Sequence, residues 1–254
     1  MPPIRKGDGT PVTPKGISQI RTGDGRILFD GVAIPDSASH RWTLEEDSST
    51  FVDSIGSSDA TNQGTTRTTN TWQGGAARQG NGSDQYIEHT QLGDFGSNLD
   101  GPWGIAYTVE TTSNSRGRNG VLNDGSNTAI RLAINGPSEG DIEIWLRDDN
   151  GDINAVSASL GVNDGEKHRV FHRVTGTSAN DYEIWENNSE QSVNVDTNEG
   201  ASNFSNFEYD FTTFGWNSRG TIDDNYEGVL DDIIIYSDPS TDDIQTDYNL
   251  QTWV

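Results

Sequence analysis

Two similar strand-like segments carry the residues best suited to ligand binding. Trp145 lies between Glu143 and Arg147, and Trp185 stands in a second Glu-Ile-Trp segment. In each segment the tryptophan falls on the face opposite a small apolar stripe. A flat aromatic ring beside fixed polar groups suits a sugar, which offers an apolar face and a rim of hydroxyls. These four residues are therefore predicted to bind a glycan, and burial of one or both tryptophans in a core is the alternative.

A second group of aromatic residues lies near predicted loops or strand ends. It consists of Trp72, Trp103, Trp216 and Tyr226. Aromatic side chains in such positions can extend a binding surface that begins on a neighbouring strand. Trp216 and Tyr226 are added to the predicted glycan-binding set.

The sequence offers no catalytic constellation. A glycosidase requires two carboxylates placed across the scissile bond, whereas Glu183 and Glu186 point to opposite faces of a strand. His168 and His172 would share a strand face but lie about 13 Å apart, which is too far for one metal ion. The sequence also has no Gly-x-Ser-x-Gly elbow and no phosphate-binding loop. A non-enzymatic protein is predicted.

The charge is strongly negative and unusual in its makeup. The chain of 254 residues has 40 Asp and Glu against 16 Lys and Arg, a formal net charge of −24, and only 3 of the basic residues are Lys. Such a surface repels a nucleic-acid backbone. Molar salt would screen the self-repulsion, because the Debye length falls to about 3 Å. Scarce Lys with abundant Asp is typical of proteins from extreme halophiles; an acidic mesophilic protein is the alternative.

Several other classes are excluded by composition. The absence of Cys rules out disulfides, thiolate metal sites and a cysteine nucleophile. No apolar run approaches the ~20 residues of a membrane-spanning helix, so membrane insertion is not expected. The first residues lack the apolar core of a secretory signal, and synthesis in the cytoplasm without export is expected.

Residues 1–36 differ from the rest of the chain. The segment Ile-Arg-Lys-Gly-Asp-Gly at 4–9 recurs as Ile-Arg-Thr-Gly-Asp-Gly at 20–25, and each copy precedes a short apolar run. Asp-Gly is a strong turn signal, so these residues are predicted to form a β-hairpin arm for attachment or oligomerisation. A frayed terminus is the alternative.

From residue 40 onward, short strand-like runs alternate with clusters of Gly, Asn, Asp and Ser. In one run Ile142, Ile144 and Leu146 share a face. Many short strands at this spacing predict a β-sandwich or barrel, and a short helix is expected after Pro239, capped by Ser240 or Thr241. The predicted strands are 103–112, 128–135, 141–148, 153–160, 167–175, 181–187, 207–214 and 226–236.

An ordered set of segments resembles the laminin-G-like and concanavalin A-like lectin and glucanase domains. The first is His-Arg-Trp-Thr-Leu-Glu-Glu at 40–46 followed by Asp-Ser-Ile-Gly at 53–56; then come Asp-Gly-Glu-Lys-His-Arg-Val at 164–170 and Tyr-Glu-Ile-Trp-Glu-Asn-Asn at 182–188. The last is Gly-Val-Leu-Asp-Asp-Ile-Ile-Ile-Tyr at 228–236 with Ser-Thr-Asp-Asp-Ile at 240–244. Lys167 stands where the family usually has Trp.

The resemblance implies an all-β antiparallel jelly-roll β-sandwich at 37–254, with first and last strands adjacent. Many domains of this family hold a structural calcium ion, and by this resemblance Asp53 with Asp231 or Asp232 is the expected site. Two other acidic segments, 148–152 and 223–228, resemble the start of a calcium loop but lack its final Glu, and a hairpin turn is favoured for the first. The strand Glu-x-Asp-x-x-Glu of the family's glucanases is missing.

The arm, by a looser likeness, resembles the N-terminal segments of virion proteins from tailed viruses of haloarchaea. The leading hypothesis is a virion surface protein, on a tail fibre, spike or capsid turret, that recognises an S-layer glycan of the host. Its expected partners are copies of itself, as a trimer or pentamer, and other virion proteins reached through the arm. A cellular carbohydrate-binding module and a purely structural capsid or tail decoration protein are the alternatives.

Overall fold

A computed structural model describes residues 19–21, 27–30, 34–68, 76–89, 99, 101–122, 127–205 and 209–252. The first ten strands are β1 Gln19–Arg21, β2 Ile27–Asp30, β3 Ala38–Trp42, β4 Thr50–Phe51, β5 Ala60–Gln63, β6 Thr66–Thr68, β7 Ala77–Asn81, β8 Tyr86–His89, β9 Trp103–Glu110 and β10 Gly117–Leu122. They are followed by β11 Ala129–Ile134, β12 Asp141–Arg147, β13 Ile153–Ser159, β14 Lys167–Val174, β15 Tyr182–Glu186, β16 Ser189–Glu190 and β17 Asn194–Asn198. The last elements are β18 Phe211–Thr213, β19 Trp216–Ser218, β20 Thr221–Asp223, β21 Glu227–Ser237 and the helix α1 Thr241–Thr252.

Two large sheets form a β-sandwich, as the sequence predicts. One has seven strands in the order β17-β13-β12-β11-β10-β19-β20. The other has eight, in the order β16-β15-β14-β9-β21-β7-β6, with β3 also paired to β21. The pairs are antiparallel except β10 with β19, and β18, β8, β5 and β4 form a smaller sheet.

The core lies between the inner faces of the two sheets. In strand β12, every second side chain points inward, and these three, Ile142, Ile144 and Leu146, are fully buried. From the other sheet, Tyr182 and Ile235 belong to the same cluster. Burying this apolar surface stabilises the sandwich by about 25 cal/mol per Å² removed from water. Residues between them on each strand therefore face outward.

The first strand of the sandwich lies beside the last long one, as the family resemblance implies. Strand β21 pairs with β9 on one side and with both β7 and β3 on the other. Its ladder with β9 shifts register between Asp231 and Ile234, where Asp232 has a φ of 43°. A bulge of this kind bends the strand, so that its two halves pair with different neighbours.

Helix α1 packs on the outer face of the eight-stranded sheet. Ser240 caps it, because its hydroxyl accepts from the Asp243 N–H and the Asp243 carboxylate accepts from the Ser240 N–H. Asp247 then accepts two hydrogen bonds from the buried guanidinium of Arg169 and one from the Tyr236 hydroxyl. No helix among the described residues is long and apolar enough to span a membrane.

Within the N-terminal arm the structure describes one antiparallel pair, β1 with β2. This pair is the hairpin predicted around the second Gly-Asp-Gly repeat. The rest of the predicted arm before residue 34, including the first repeat, lies outside the described residues.

Candidate functional site

The outer face of the seven-stranded sheet carries the predicted residues Glu143, Trp145 and Arg147. They alternate with the inward-facing isoleucines of β12 and therefore leave the sheet on its outer side. The strand register places Arg131 of β11 directly opposite Trp145, and Ala155 of β13 opposite it on the other side. The small side chain of Ala155 leaves room for the indole.

Trp145 supports two guanidinium groups. The guanidinium carbon of Arg131 lies 4.6 Å from the centre of the Trp145 ring, and that of Arg147 lies 5.5 Å from it. Both distances are within the range of cation–π attraction. Trp145 is only 9% exposed, so it holds the guanidiniums from beneath and offers little ring surface to a ligand.

Polar contacts fix the two arginines further. Arg131 donates to Glu143 at 2.9 Å, and Arg147 donates to the backbone oxygen of Asn127 at 2.9 Å. Arg131 thus has a carboxylate partner, whereas Arg147 donates to a neutral carbonyl.

A second arginine–tryptophan pair lies on the same line of register partners, which runs across the sheet from Trp145 through Arg131. Trp216 of β19 lies opposite Gly120 of β10, which lies opposite Arg131. Gly120 has a φ of 139°, and a Cβ there would lie 2.1 Å from the Ile130 carbonyl oxygen, so no side chain can fill this position. The row therefore has no side chain between Trp216 and Arg131.

Trp216 is half-buried and lies under a third guanidinium. The guanidinium carbon of Arg118 is 5.3 Å from its ring centre, and Arg118 forms an ion pair with Asp224. Trp216 also packs on the apolar cluster that contains Trp145. We call the five residues Arg118, Arg131, Arg147, Trp145 and Trp216 the arginine–tryptophan face.

Four buried donors of this face lack partners within the described part of the chain. They are Nε of Arg118, Nε of Arg131, Nη2 of Arg147 and Nε1 of Trp216. An unsatisfied buried donor typically costs about 1–3 kcal/mol. Orphaned Nε atoms also occur at Arg78 and Arg173 away from this face, so the donors that distinguish it are Nη2 of Arg147 and Nε1 of Trp216.

The guanidiniums also repel one another. Burial lowers the pKa of Arg131 below its usual value, and the nearby charges of Arg118 and Arg116 lower it further, against the opposing effect of Glu143. Burial together with the charge of Arg219 likewise lowers the pKa of Arg147. The face is therefore locally cationic in a chain of net charge −24.

Trp185 lies on the opposite side of the molecule, so the two predicted tryptophans do not form one site. It packs with Phe171, Tyr236 and Ile244 on the outer face of the eight-stranded sheet, where α1 lies. Its indole N–H donates to Glu183 at 2.9 Å. The ring is 9% exposed, as that of Trp145 is, and belongs to a secondary core with Ile244 of the helix, so it offers little surface to a glycan.

Tyr226 requires a similar correction. It is fully buried in the main core, where its hydroxyl donates to the Glu110 carbonyl oxygen at 3.0 Å. It therefore presents no surface to a glycan. Trp103 is also buried and donates to the Leu99 carbonyl oxygen, and Trp72 lies outside the described residues.

The expected calcium carboxylates are engaged with hydrogen-bond donors. Asp53 Oδ1 accepts from the backbone N–H groups of Arg41, Ile55 and Gly56, and its Oδ2 lies 2.6 Å from a ring nitrogen of His40. A cation requires oxygen lone pairs directed at it, whereas these are directed at N–H groups.

Asp231 and Asp232 do not complete a metal site with Asp53 either. Asp232 accepts from Arg41 at 2.7 Å, while Asp231 is buried and accepts from the Asp232 N–H. No group of three or more His, Asp or Glu in the described part of the chain could hold a metal ion. The residues therefore do not fit a calcium ion in this arrangement.

The acidic segment at 148–152 forms the favoured hairpin turn between β12 and β13. The buried carboxylate of Asp148 accepts from the N–H groups of Asn150 and Asp152 within the turn and from those of Ser202 and Asn203 outside it. Its negative charge is thus used to fix two loops.

A polar groove of about 450 Å³ lies elsewhere, along the paired ends of β9 and β21. Its lining includes Glu110, Thr111 and Glu227 but no aromatic residue. The Glu227 carboxylate accepts from the Ser113 hydroxyl at 3.0 Å. Without a ring surface the groove is less suited to a sugar than the arginine–tryptophan face.

Comparisons with known proteins support the fold. No family model matches the chain, and no curated protein matches its sequence significantly. The sialidase of Trypanosoma rangeli in complex with sialic acid matches in structure with a TM-score of 0.58 at 12% identity, over 92% of this chain and 35% of that one. The binding domain of botulinum neurotoxin serotype D matches with a TM-score of 0.61 at 14% identity, over 85% and 51%.

A structure of botulinum neurotoxin type C matches similarly, with a TM-score of 0.61 at 14% identity over 87% of this chain and 52% of that one. The chain thus spans between about a third and a half of the length of these proteins. At such low identity the likeness establishes the β-sandwich fold and nothing finer.

Sequence reasoning missed Arg118 and Arg131. Both belong to the site only because of strand register, which places Arg131 beside Trp145 and Arg118 near Trp216. Their alternation with Val121, Ile130 and Leu132 was a signal of outward orientation.

Proposed function

We propose that this chain is a non-enzymatic carbohydrate-binding domain whose ligand lies on the arginine–tryptophan face. The observation that carries the proposal is the row of Trp216, Gly120, Arg131 and Trp145 across four neighbouring strands. At about 4.8 Å per strand, the two tryptophans are roughly 14 Å apart, a span that suits an oligosaccharide better than a single sugar.

The parts of the row have complementary roles. The half-buried ring of Trp216 offers a surface on which a sugar can stack, and no side chain at Gly120 stands between this ring and Arg131. The guanidiniums of Arg131 and Arg147, held by Trp145, donate hydrogen bonds to its oxygens.

The functions of the structural neighbours agree with this proposal. One neighbour is a sialidase bound to sialic acid, and another is a neurotoxin whose cell entry depends on interaction with two ganglioside molecules. Both act on, or bind, sugar-bearing ligands.

The test is binding of the full chain to a panel of neutral and acidic glycans in molar KCl. Trp216→Ala removes the stacking surface, and Trp185→Ala is the matched control because that ring lies in the secondary core under α1. Saturable binding that Trp216→Ala weakens and Trp185→Ala preserves supports the proposal. Absence of binding across the panel would leave a purely structural protein.

The finer role that we propose is host recognition at the virion surface of a halophilic virus, on a tail fibre, spike or capsid turret. The net charge of −24 with only 3 Lys supports the halophilic part, and the repeated Gly-Asp-Gly arm supports attachment and assembly. The protein would then be made in the host cytoplasm and would bind an S-layer glycan as a trimer or pentamer, gaining avidity from several weak sites.

Three measurements examine this role. Mass spectrometry of purified particles should detect the chain, and sedimentation analysis should show an oligomer that dissociates when the arm, residues 1–36, is deleted. The full-length oligomer should co-sediment with haloarchaeal envelopes in molar salt. A monomer that binds sugars equally well without the arm would instead indicate a cellular carbohydrate-binding module.

A further inference from the structure

The arginine–tryptophan face carries more positive charge than the binding of a neutral sugar requires. Three guanidiniums lie on it, while the carboxylates of Glu143 and Asp224 pair with Arg131 and Arg118. Arg147 donates to a backbone carbonyl instead. Two further arginines, Arg116 and Arg219, lie close enough to add to the positive potential, and Asp223, opposite Trp216, opposes it.

The unpartnered donors also favour an anion. Three of the four orphaned nitrogens belong to guanidiniums, which match the geometry of carboxylate and sulfate oxygens in a planar fork. A charge-assisted hydrogen bond is roughly twice as strong as a neutral one. An anion would also offset the burial and the neighbouring charges of Arg118 and Arg116 that lower the pKa of Arg131.

We infer that the ligand of this face is an acidic glycan, whose carboxylate or sulfate group binds between Arg131 and Arg147 while a neighbouring sugar lies on Trp216. This inference rests on the proposed carbohydrate-binding function and specifies its ligand class. The guanidinium carbons of both arginines lie within 5.5 Å of the centre of one indole ring, which places both groups at one part of the face. Glu143 and Trp145 act as positioning residues that fix the guanidiniums before the ligand arrives.

The experiment compares ligands that differ only in charge. Oligogalacturonate is measured against its methyl ester, and dextran sulfate against dextran of the same length, by calorimetry with the full chain. Preference for the acid over its ester by about tenfold or more is expected, since a charge-assisted bond is lost on esterification. The sulfate pair shows whether the face accepts both anions or only a carboxylate.

Arg147→Gln is the decisive variant, because the hydrogen bond it removes from the folded protein goes to a backbone carbonyl. It should lower the affinity for the acid much more than that for the ester, so that most of the preference for the acid is lost. Arg173→Gln is the matched control: Arg173 lies on the eight-stranded sheet and pairs with Glu183 there. Arg131→Lys keeps the charge without the fork and should lose part of the preference.

The outcomes separate the inference from the proposed function. Equal affinity for the charged and the uncharged ligand in both pairs would overturn the inference. If neutral glycans bind through Trp216 while neither acidic ligand does, the inference fails and the proposed function stands. Failure of every ligand on both panels would overturn both.

Discussion

The guanidinium of Arg131 stacks on the ring of Trp145, with 4.6 Å between the guanidinium carbon and the ring centre, and also donates to Glu143. The two residues face each other across adjacent antiparallel strands. Rigid strands therefore fix both ends of the contact. A guanidinium ordered in advance loses less conformational entropy when a ligand binds, which raises affinity without adding a contact.

Replacement of Trp145 tests this positioning. Trp145→Ala should weaken glycan binding by about tenfold, because Arg131 and Arg147 lose the surface that orders them. Trp145→Phe keeps a ring beneath the guanidiniums and should restore most of the affinity. Calorimetric titration of both variants is the measurement. Equal weakening by Ala and Phe would mean that the indole itself contacts the ligand.

The stacking surface gives a separate prediction. Trp216→Ala should weaken binding about fivefold, corresponding to roughly 1 kcal/mol for an aromatic contact. Trp185→Ala should leave affinity unchanged but lower the unfolding temperature, since it leaves a cavity beside Phe171 and Ile244. A variant at Trp185 that folds normally but no longer binds would relocate the site to the other sheet.

The docking of α1 depends on one buried ion pair. Arg169 is 2% exposed and Asp247 is 1% exposed at the side chain, and their closest contact is 2.6 Å. Asp247→Ala removes the bidentate partner of this buried guanidinium and leaves it with the more distant carboxylate of Asp232, 3.9 Å away, so the free energy of unfolding should fall by about 3 kcal/mol. Asp242→Ala, on the exposed face of the same helix, should change it by less than about 1 kcal/mol. Urea denaturation at fixed salt compares the two, and similar losses would contradict the role of the pair.

Stability should depend on pH through three buried groups with opposed effects. Burial lowers the pKa of His89 and of His172 to about 3, so both are neutral when folded but take up protons when unfolded below pH ~6.5. Acidification below that point therefore destabilises the protein. Burial and the neighbouring charge of Asp232 raise the pKa of Asp231 to about 8, so the folded state holds a proton that the unfolded state loses above pH ~4. Raising the pH through the window of about 4 to 8 therefore destabilises it, by up to ~1.4 kcal/mol per unit.

Below pH ~6.5 the loss of stability on acidification caused by the two histidines is larger than the gain caused by Asp231. Above pH ~6.5 Asp231 is the one of these three groups that still changes the free energy of unfolding. Maximum stability is thus expected near pH 6.5. Asp231→Asn should reduce the decline between pH 6.5 and 8 and leave the acid limb in place. The part that remains is expected from His168, where burial lowers the pKa but hydrogen bonds with Asp164 and Glu186 raise it further, so that the net shift is upward. Urea unfolding at half-unit pH intervals is the measurement. An unchanged alkaline decline in the variant would show that Asp231 is ionised in the folded protein.

The charge predicts a dependence on salt. With a net charge of −24, self-repulsion destabilises the compact state in dilute buffer, and molar salt screens it. The unfolding temperature should rise steadily from about 0.1 M to molar KCl. Sucrose at matched water activity separates screening from preferential exclusion. A flat or falling temperature would contradict the halophilic interpretation.

The alternation of apolar and polar residues within strands was the main basis for predicting the fold from the sequence. The pattern of Ile142, Ile144 and Leu146 was enough to predict a core face and to place Trp145 on the other side. The predicted strand boundaries at 103–112, 141–148 and 167–175 differ from β9, β12 and β14 by at most two residues. Gly117–Leu122 was not predicted as a strand, because its two glycines and its polar residues conceal the alternation.

Contacts between strands distant in sequence were beyond the reach of local patterns. Trp185 repeats the sequence context of Trp145, but α1 packs on its face, and nothing local to either segment distinguishes a covered sheet from an open one. Tyr226 stands next to a turn yet points into the core. Arg131 became a candidate only once the register of β11 and β12 was known.

The most direct test of the account is the indole N–H spectrum of the protein during a ligand titration. The chain has 7 tryptophans, and their indole signals can be assigned by Trp→Phe substitution one position at a time. With oligogalacturonate, or with the tightest-binding neutral glycan should acidic sugars fail, the signals of Trp216 and Trp145 should shift together with one saturation curve while that of Trp185 stays in place. Shifts confined to Trp185, or saturable binding that moves neither Trp216 nor Trp145, would contradict a ligand site on the arginine–tryptophan face.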